Sequence, residues 1–155
     1  VIDNNLIQAA LVAKLKANTA LVGYLTQFGA QDEIRESQFQ GGTFLYPNVR
    51  VELGTQIEEG NPPCYSTIPF TVYSYSEKDS SQEANQLAGY VNRAFGFDAS
   101  GGHTPQAVLV TGSSVGGSFH SGIIVSDGSI AARRVSERVW QAVGLYRMNI
   151  YGGTP

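Results

Sequence analysis

Between residues 67 and 95 the hydrophobic period changes from two to about 3.6 within a few residues, and few architectures accommodate that switch. Ile68, Phe70 and Val72 alternate with Thr71, Tyr73 and Tyr75, the pattern of a strand that buries one face. Ser80-Ser81-Gln82-Glu83 follows as a capping-box signature, with Ser80 as the cap and Glu83 reaching back. Ala84, Leu87, Ala88, Val91 and Phe95 then fall on one stripe and predict an amphipathic helix over 81–95, with Gly96 after its end. The small residues Ala84, Ala88 and Gly89 let that helix approach a sheet closely. The other strand face, carrying Tyr73 and Tyr75, needs a cover from this chain or from a neighbouring subunit.

The flanking segments extend the pattern. Leu6, Ile7, Ala10, Leu11 and Leu15 predict a helix over 3–16, capped by Asp3 or Asn4 and closed by Lys14 and Lys16. Asn18-Thr19 starts a second short helix with Leu21, Val22, Leu25 and Phe28 on its buried side, and Gly29 ends it. Residues 32–36 read as strand or irregular chain, and Gly41-Gly42 marks a turn. Val49, Val51 and Leu53 alternate with Arg50 and Glu52 as a half-buried strand, and 54–63 reads as an exposed loop.

In the C-terminal third, 107–111 and 123–125 are strand-like. Asp127-Gly128 is expected to be a two-residue hairpin turn into a return strand from 129 toward 138. A last strand over 145–151 places Tyr146, Met148 and Ile150 on one face, and 152–155 reads as a frayed tail. The expected fold is one α+β domain over 1–155. A mostly antiparallel sheet, ending in a meander, packs in two layers against an N-terminal helix pair and one amphipathic helix.

Composition then narrows the function. Charged residues make up 15% of the 155, against roughly 25% in an average domain. Eight tyrosines and seven phenylalanines help fill the deficit, and tyrosine, apolar in body and polar at its tip, suits protein contacts. The net charge of −3 offers no basic field for nucleic acid. The cluster Arg133, Arg134 and Arg138 is offset by Glu137. Asp3 and two asparagines stand where a secretion signal would be basic, and no apolar run is long enough to span a membrane, so a cytoplasmic origin is expected.

No catalytic, cofactor-binding or metal-ligating set is predicted. Gly112-Ser113-Ser114-Val115-Gly116 fits the G-x-S-x-G spacing of a nucleophile elbow, but the elbow must turn into a helix and this stretch runs toward another strand. A hydrolase using Ser114 and His120 would also carry its acid, Asp127, in the wrong chain order. Cys64 is the only cysteine, and His103 and His120 lie in glycine-rich stretches without partners at metal spacing. Glu58 and Glu59 are adjacent and tend to point apart. Trp140, the sole tryptophan, reads as core. The uncharged Gly-Ser stretch 112–122 reads as a flexible loop, either a plain surface loop or an arm tipped by Phe119 that reaches a neighbour.

Read in order, "LIQAALVAKLKANTALVGYL", "YPNVRVELG", "IPFTVYSYSEKDSSQEANQLAGYVNRAFGF" and "ARRVSERVWQAVGLYRMNIYG" resemble the tail-completion or tail-terminator proteins of long-tailed bacteriophages. The resemblance implies a virion subunit, assembled in the host cytoplasm, that forms a homo-oligomeric ring, usually a hexamer, at the head-proximal end of the tail. Such a ring stops growth of the tail-tube protein, joins the tail to the head connector or stopper, and passes DNA through its lumen without gripping it. The candidate ring-contact residues are Tyr73, Tyr75, Ser118, Phe119, His120, Arg133, Arg134 and Tyr146. A head-completion or stopper protein of the neck is the alternative.

Overall fold

The computed structural model describes residues 4–37, 45–60, 63–97, 107–114, 117–151 and 153–154, with side chains left undescribed at 59–60, 63–65, 107–114, 117–123, 151 and 153–154. Helix α1 (Asn4–Lys16) buries Ile7, Leu11 and Leu15, one residue per turn along a single stripe. Helix α2 (Thr19–Thr26) is capped by Asn18, whose Oδ1 accepts from the Leu21 amide at 2.9 Å. Two bonds close it: the Ala30 amide to the Leu25 carbonyl and the Gly29 amide to the Thr26 carbonyl. That pattern needs a left-handed residue, and Gly29 supplies it at φ 70°. Phe28, expected on the buried side, stands exposed at this turn.

Strands β1 (Ile34–Glu36), β2 (Asn48–Leu53), β3 (Ile57–Gly60), β4 (Pro63–Ser76), β5 (Ala107–Ser114), β6 (Gly117–Arg134), β7 (Trp140–Tyr151) and β8 (Gly153–Thr154) form one sheet. Its main path runs β1-β2-β4-β7-β6-β5, with β3 beside β4 and β8 beside β6. Among the described strands, only β1 and β2 pair in parallel. Helix α3 (Gln82–Ala94) lies on the same side of the sheet as α1 and α2, giving the expected two-layer α+β architecture with β5-β6-β7 as a meander. Its own C-terminus repeats the α2 closure, with Gly96 at φ 89°.

Parity in β4 matches the sequence pattern. Ile68, Phe70 and Val72 are buried under the helices, while Thr71, Tyr73 and Tyr75 stay half-exposed on the other side. Tyr146, Met148 and Ile150 of β7 join the buried face. Phe70, Phe95 and Tyr146 meet with ring centroids 5.1–5.6 Å apart, the aromatic centre of the core. Gly144, on the same face two residues before Tyr146, makes room for this ring: a Cβ there would lie 2.6 Å from Tyr146 Cε2.

Several expectations are corrected. Asp127-Gly128 does not reverse the chain. Strand β6 runs straight through it, and its partners on β7 jump from Ser126↔Tyr146 to Gly128↔Leu145, so Asp127 is an extra residue in a bulge. Gly128 takes φ 132° there, which explains the glycine without a hairpin. The reversal comes at 135–139, where the Val135 amide donates to the Val139 carbonyl.

The stretch expected as loop at 54–63 contains β3, which pairs with the first half of β4. The stretch 112–122, expected as a flexible loop, is strand on both sides of 115–116, with Gly112↔Phe119 and Ser114↔Gly117 in register. Within the expected frayed tail, β8 pairs Thr154 with Ser118. The capping box does not form either: Glu83 Oε1 accepts from the Ser76 hydroxyl at 2.7 Å, tying α3 to the end of β4.

Candidate functional site

Among the described residues, the helices cover one face of the sheet and leave the other uncovered. The register fixes what the uncovered face carries, because directly paired residues share a side. Tyr73 sits between Arg50 of β2 and Val143 of β7; Tyr75 sits between Asn48 and Gln141, and Gln141 in turn pairs with Arg133 of β6. The Tyr73 and Tyr75 rings stack with centroids 6.2 Å apart. Gln141 Nε2 donates to the Tyr75 hydroxyl at 2.9 Å, which fixes that ring.

Tyr73, Tyr75 and Gln141 floor a groove of about 600 Å³. Tyr46 and Ser37 close one side, and Val135, Ser136 and Val139 of the β6–β7 turn form the other. Arg50 and Glu52 are the charged residues among its lining. Arg50 is neutralised from below: it lies 2.9 Å from Glu33 Oε2, and both side chains are buried. Its Nη1 also donates to the carbonyls of Glu33 and Val49, at 2.9 and 3.1 Å. Glu52 is exposed at the rim. Burial, then a hydrogen bond to Glu52 and its charge, raise the Tyr73 phenol above its ordinary pKa of 10.0. Tyr46 is raised as well, first by burial and then by the charge of Glu77. The groove therefore offers neutral phenols, aliphatic walls and one rim carboxylate, the chemistry of a protein contact.

The ring-contact residues expected from sequence do not converge. Tyr73, Tyr75 and Arg133 belong to the uncovered face. Arg134 is the neighbour of Arg133 but pairs with Trp140, on the opposite side, and its Nη2 donates to the Glu137 carbonyl of its own turn at 2.7 Å. Tyr146 is core: it is 3% exposed, its hydroxyl donates to Asn92 Oδ1, and burial raises its pKa strongly. It has no surface to offer a neighbour.

Ser118, Phe119 and His120 lie in the β6 ladder toward the β5 hairpin, and their side chains are outside the described residues. They are near the opposite end of the 18-residue strand β6 from Arg133, roughly 40 Å away at the usual rise. Trp140, expected in the core, is only half-buried, and its indole N–H donates to the Lys78 carbonyl at 2.9 Å.

Sequence reasoning missed Tyr46, Val135, Val139 and Gln141 as groove residues. The parity of β2 did signal that Arg50 and Glu52 share a side. The elbow geometry needed for Ser114 is not built, since β5 ends at Ser114 and β6 starts at Gly117, strand to strand. Among the described residues no group of His, Cys, Asp and Glu is placed to hold a metal ion, and no helix is long and apolar enough to cross a membrane. His103 lies outside the described residues, as does the side chain of Cys64.

The fold and the groove thus define a two-layer α+β domain with an exposed, tyrosine-floored sheet face. No family model matches the chain, and no curated protein does. Among solved structures, it is similar to a chain in one described as the virion of a native gene transfer agent particle. The TM-score is 0.65 at 15% identity, over 94% of this chain and 95% of that one. At that identity the likeness is one of fold.

Proposed function

We propose that this chain is a non-enzymatic structural subunit of a phage-like virion, forming a ring at the head-proximal end of the tail. The ring would end tail-tube polymerisation and join the tail to the head connector, with DNA passing through its centre. The observation that carries the reading is the end-to-end likeness to a chain of a gene transfer agent virion: nearly the whole of both chains is matched, so the shared unit is the entire domain and not a common substructure. The uncovered tyrosine face supports it, because an assembling subunit needs surface that water covers poorly. The acidic balance supports it too, since a conduit for DNA must not bind it.

Deleting the gene in the producing host tests the proposal by electron microscopy. The expected result is tails of uncontrolled length that do not join heads. Tails of normal length beside filled heads that leak DNA would instead assign the chain to head completion. Normal, infectious or transducing particles would remove the virion reading altogether.

A further inference from the structure

Ring closure by identical subunits requires heterologous contacts, in which one patch of a subunit fits a different patch of the next. The uncovered face supplies the concave patch. Its complement must be convex, aromatic or apolar, and matched to the rim carboxylate of Glu52.

Phe28 answers that description. It stands 39% exposed at the turn that closes α2, and it is the one exposed aromatic residue among those whose side chains are described. Lys78 Nζ lies 5.7 Å from its ring centroid, so the knob carries a cation beside its apolar tip. Tyr24 packs against the back of Phe28, with centroids 5.5 Å apart, and Tyr24 stacks in turn on Tyr90 of α3 at 4.8 Å. The exposed ring is therefore held in place and loses little freedom on docking. The other large exposed apolar residues, Leu45, Ile57, Ile130, Val135 and Leu145, lie on strands or their flanks, and Val135 is itself a wall of the groove.

The knob belongs to the helix layer and the groove to the bare side of the sheet. A subunit cannot fill its own groove with Phe28, but a second copy can. We infer that Phe28 and Lys78 of one copy dock into the groove floored by Tyr73 and Tyr75 of the next, with Lys78 meeting Glu52. This rests on the ring reading above and assigns its contact.

The test uses single cysteines in a Cys64→Ser background. Phe28→Cys and Val135→Cys proteins are prepared separately, mixed under mild oxidation and compared with each alone, alongside Phe28→Ser measured by sedimentation. The expected result is a disulfide-linked dimer that appears only in the mixture, and self-association weakened about thirtyfold in Phe28→Ser, the loss typical of an aromatic anchor. Lys78→Glu with Glu52→Lys should restore association that either change alone weakens.

A wild-type ring that persists unchanged in Phe28→Ser, with no mixed dimer, overturns the contact and leaves the ring standing. A Val135→Cys protein that crosslinks to itself as readily overturns it in favour of a symmetric face-to-face pair. A wild-type chain that stays monomeric when concentrated and in isolated particles removes the ring, and this contact with it.

Discussion

Replacing Arg50 by methionine exposes how the parallel edge of the sheet is held. In the native protein the Arg50 guanidinium lies 2.9 Å from Glu33 Oε2, with the two side chains 3% and 6% exposed. Removing the cation leaves a carboxylate buried without its counter-charge and takes one donor from each of the Glu33 and Val49 carbonyls. Breaking a buried pair in this way costs about 3–5 kcal/mol. For a chain of this length each kcal/mol lowers Tm by roughly 2–4 °C, so the expected fall is roughly 6–20 °C.

Glu33→Met leaves the guanidinium buried without its counter-charge, for a similar loss of about 3–5 kcal/mol. Arg50→Met combined with Glu33→Met removes both charges and both desolvation costs, and should sit within about 2 kcal/mol of wild type. Urea titration measures all four proteins, with an unchanged slope as the check that the unfolded state is common to them. An Arg50→Met cost below about 1 kcal/mol, or single effects that simply add in the double variant, would refute the argument that the penalty is the stranded charge.

Gly144→Ala forces a methyl group to within 2.6 Å of a ring wedged between Phe70 and Phe95, and should cost about 1–3 kcal/mol in denaturant melts. Tyr146 gives a pH signature. Its folded pKa is raised above 10.0, so the unfolded chain loses the proton first, and stability present below about pH 10 declines above it by up to about 1.4 kcal/mol per unit. Tyr146→Phe should flatten that alkaline limb. Asn18→Ala removes the cap of α2 and should cost about 0.5–2 kcal/mol in thermal melts. Tyr73→Ala with Tyr75→Ala should leave the fold intact, as judged by circular dichroism, while weakening self-association in sedimentation.

The helices and the parity of β4 were legible in the sequence because one-dimensional periodicity reports burial directly, and Ile7, Leu11, Leu21, Leu87 and Val91 all lie where the pattern put them. What failed depended on partners remote in sequence. Asp127-Gly128 is a hairpin signal only if the flanking residues pair with each other; here both flanks pair with β7, which demands one extra residue and not a reversal. Glu83 fits a capping box, yet a strand hydroxyl reaches it first. Tyr146 shares a face with Met148 and Ile150, yet the sequence reading sets it among the ring contacts; in the structure it is core, and its hydroxyl donates to Asn92 Oδ1. The groove was half legible. Tyr73 and Tyr75 follow from parity, whereas Tyr46 and the β6–β7 turn arrive through topology that no local pattern encodes.

The unbroken course of β6 has a mechanical consequence. A pull on the β5–β6 hairpin is directed along β6 and loads its ladder with β7 sideways, so the hydrogen bonds resist together and do not open one after another. Two register shifts, one at Asp127 and one between Ile130 and Arg133, divide that ladder. At the first, Arg147 lies 3.2 Å from the extra residue's carboxylate in an exposed ion pair that adds little. Tension too great for the strand should therefore slip it first at these joints, leaving the aromatic core beneath the helices intact.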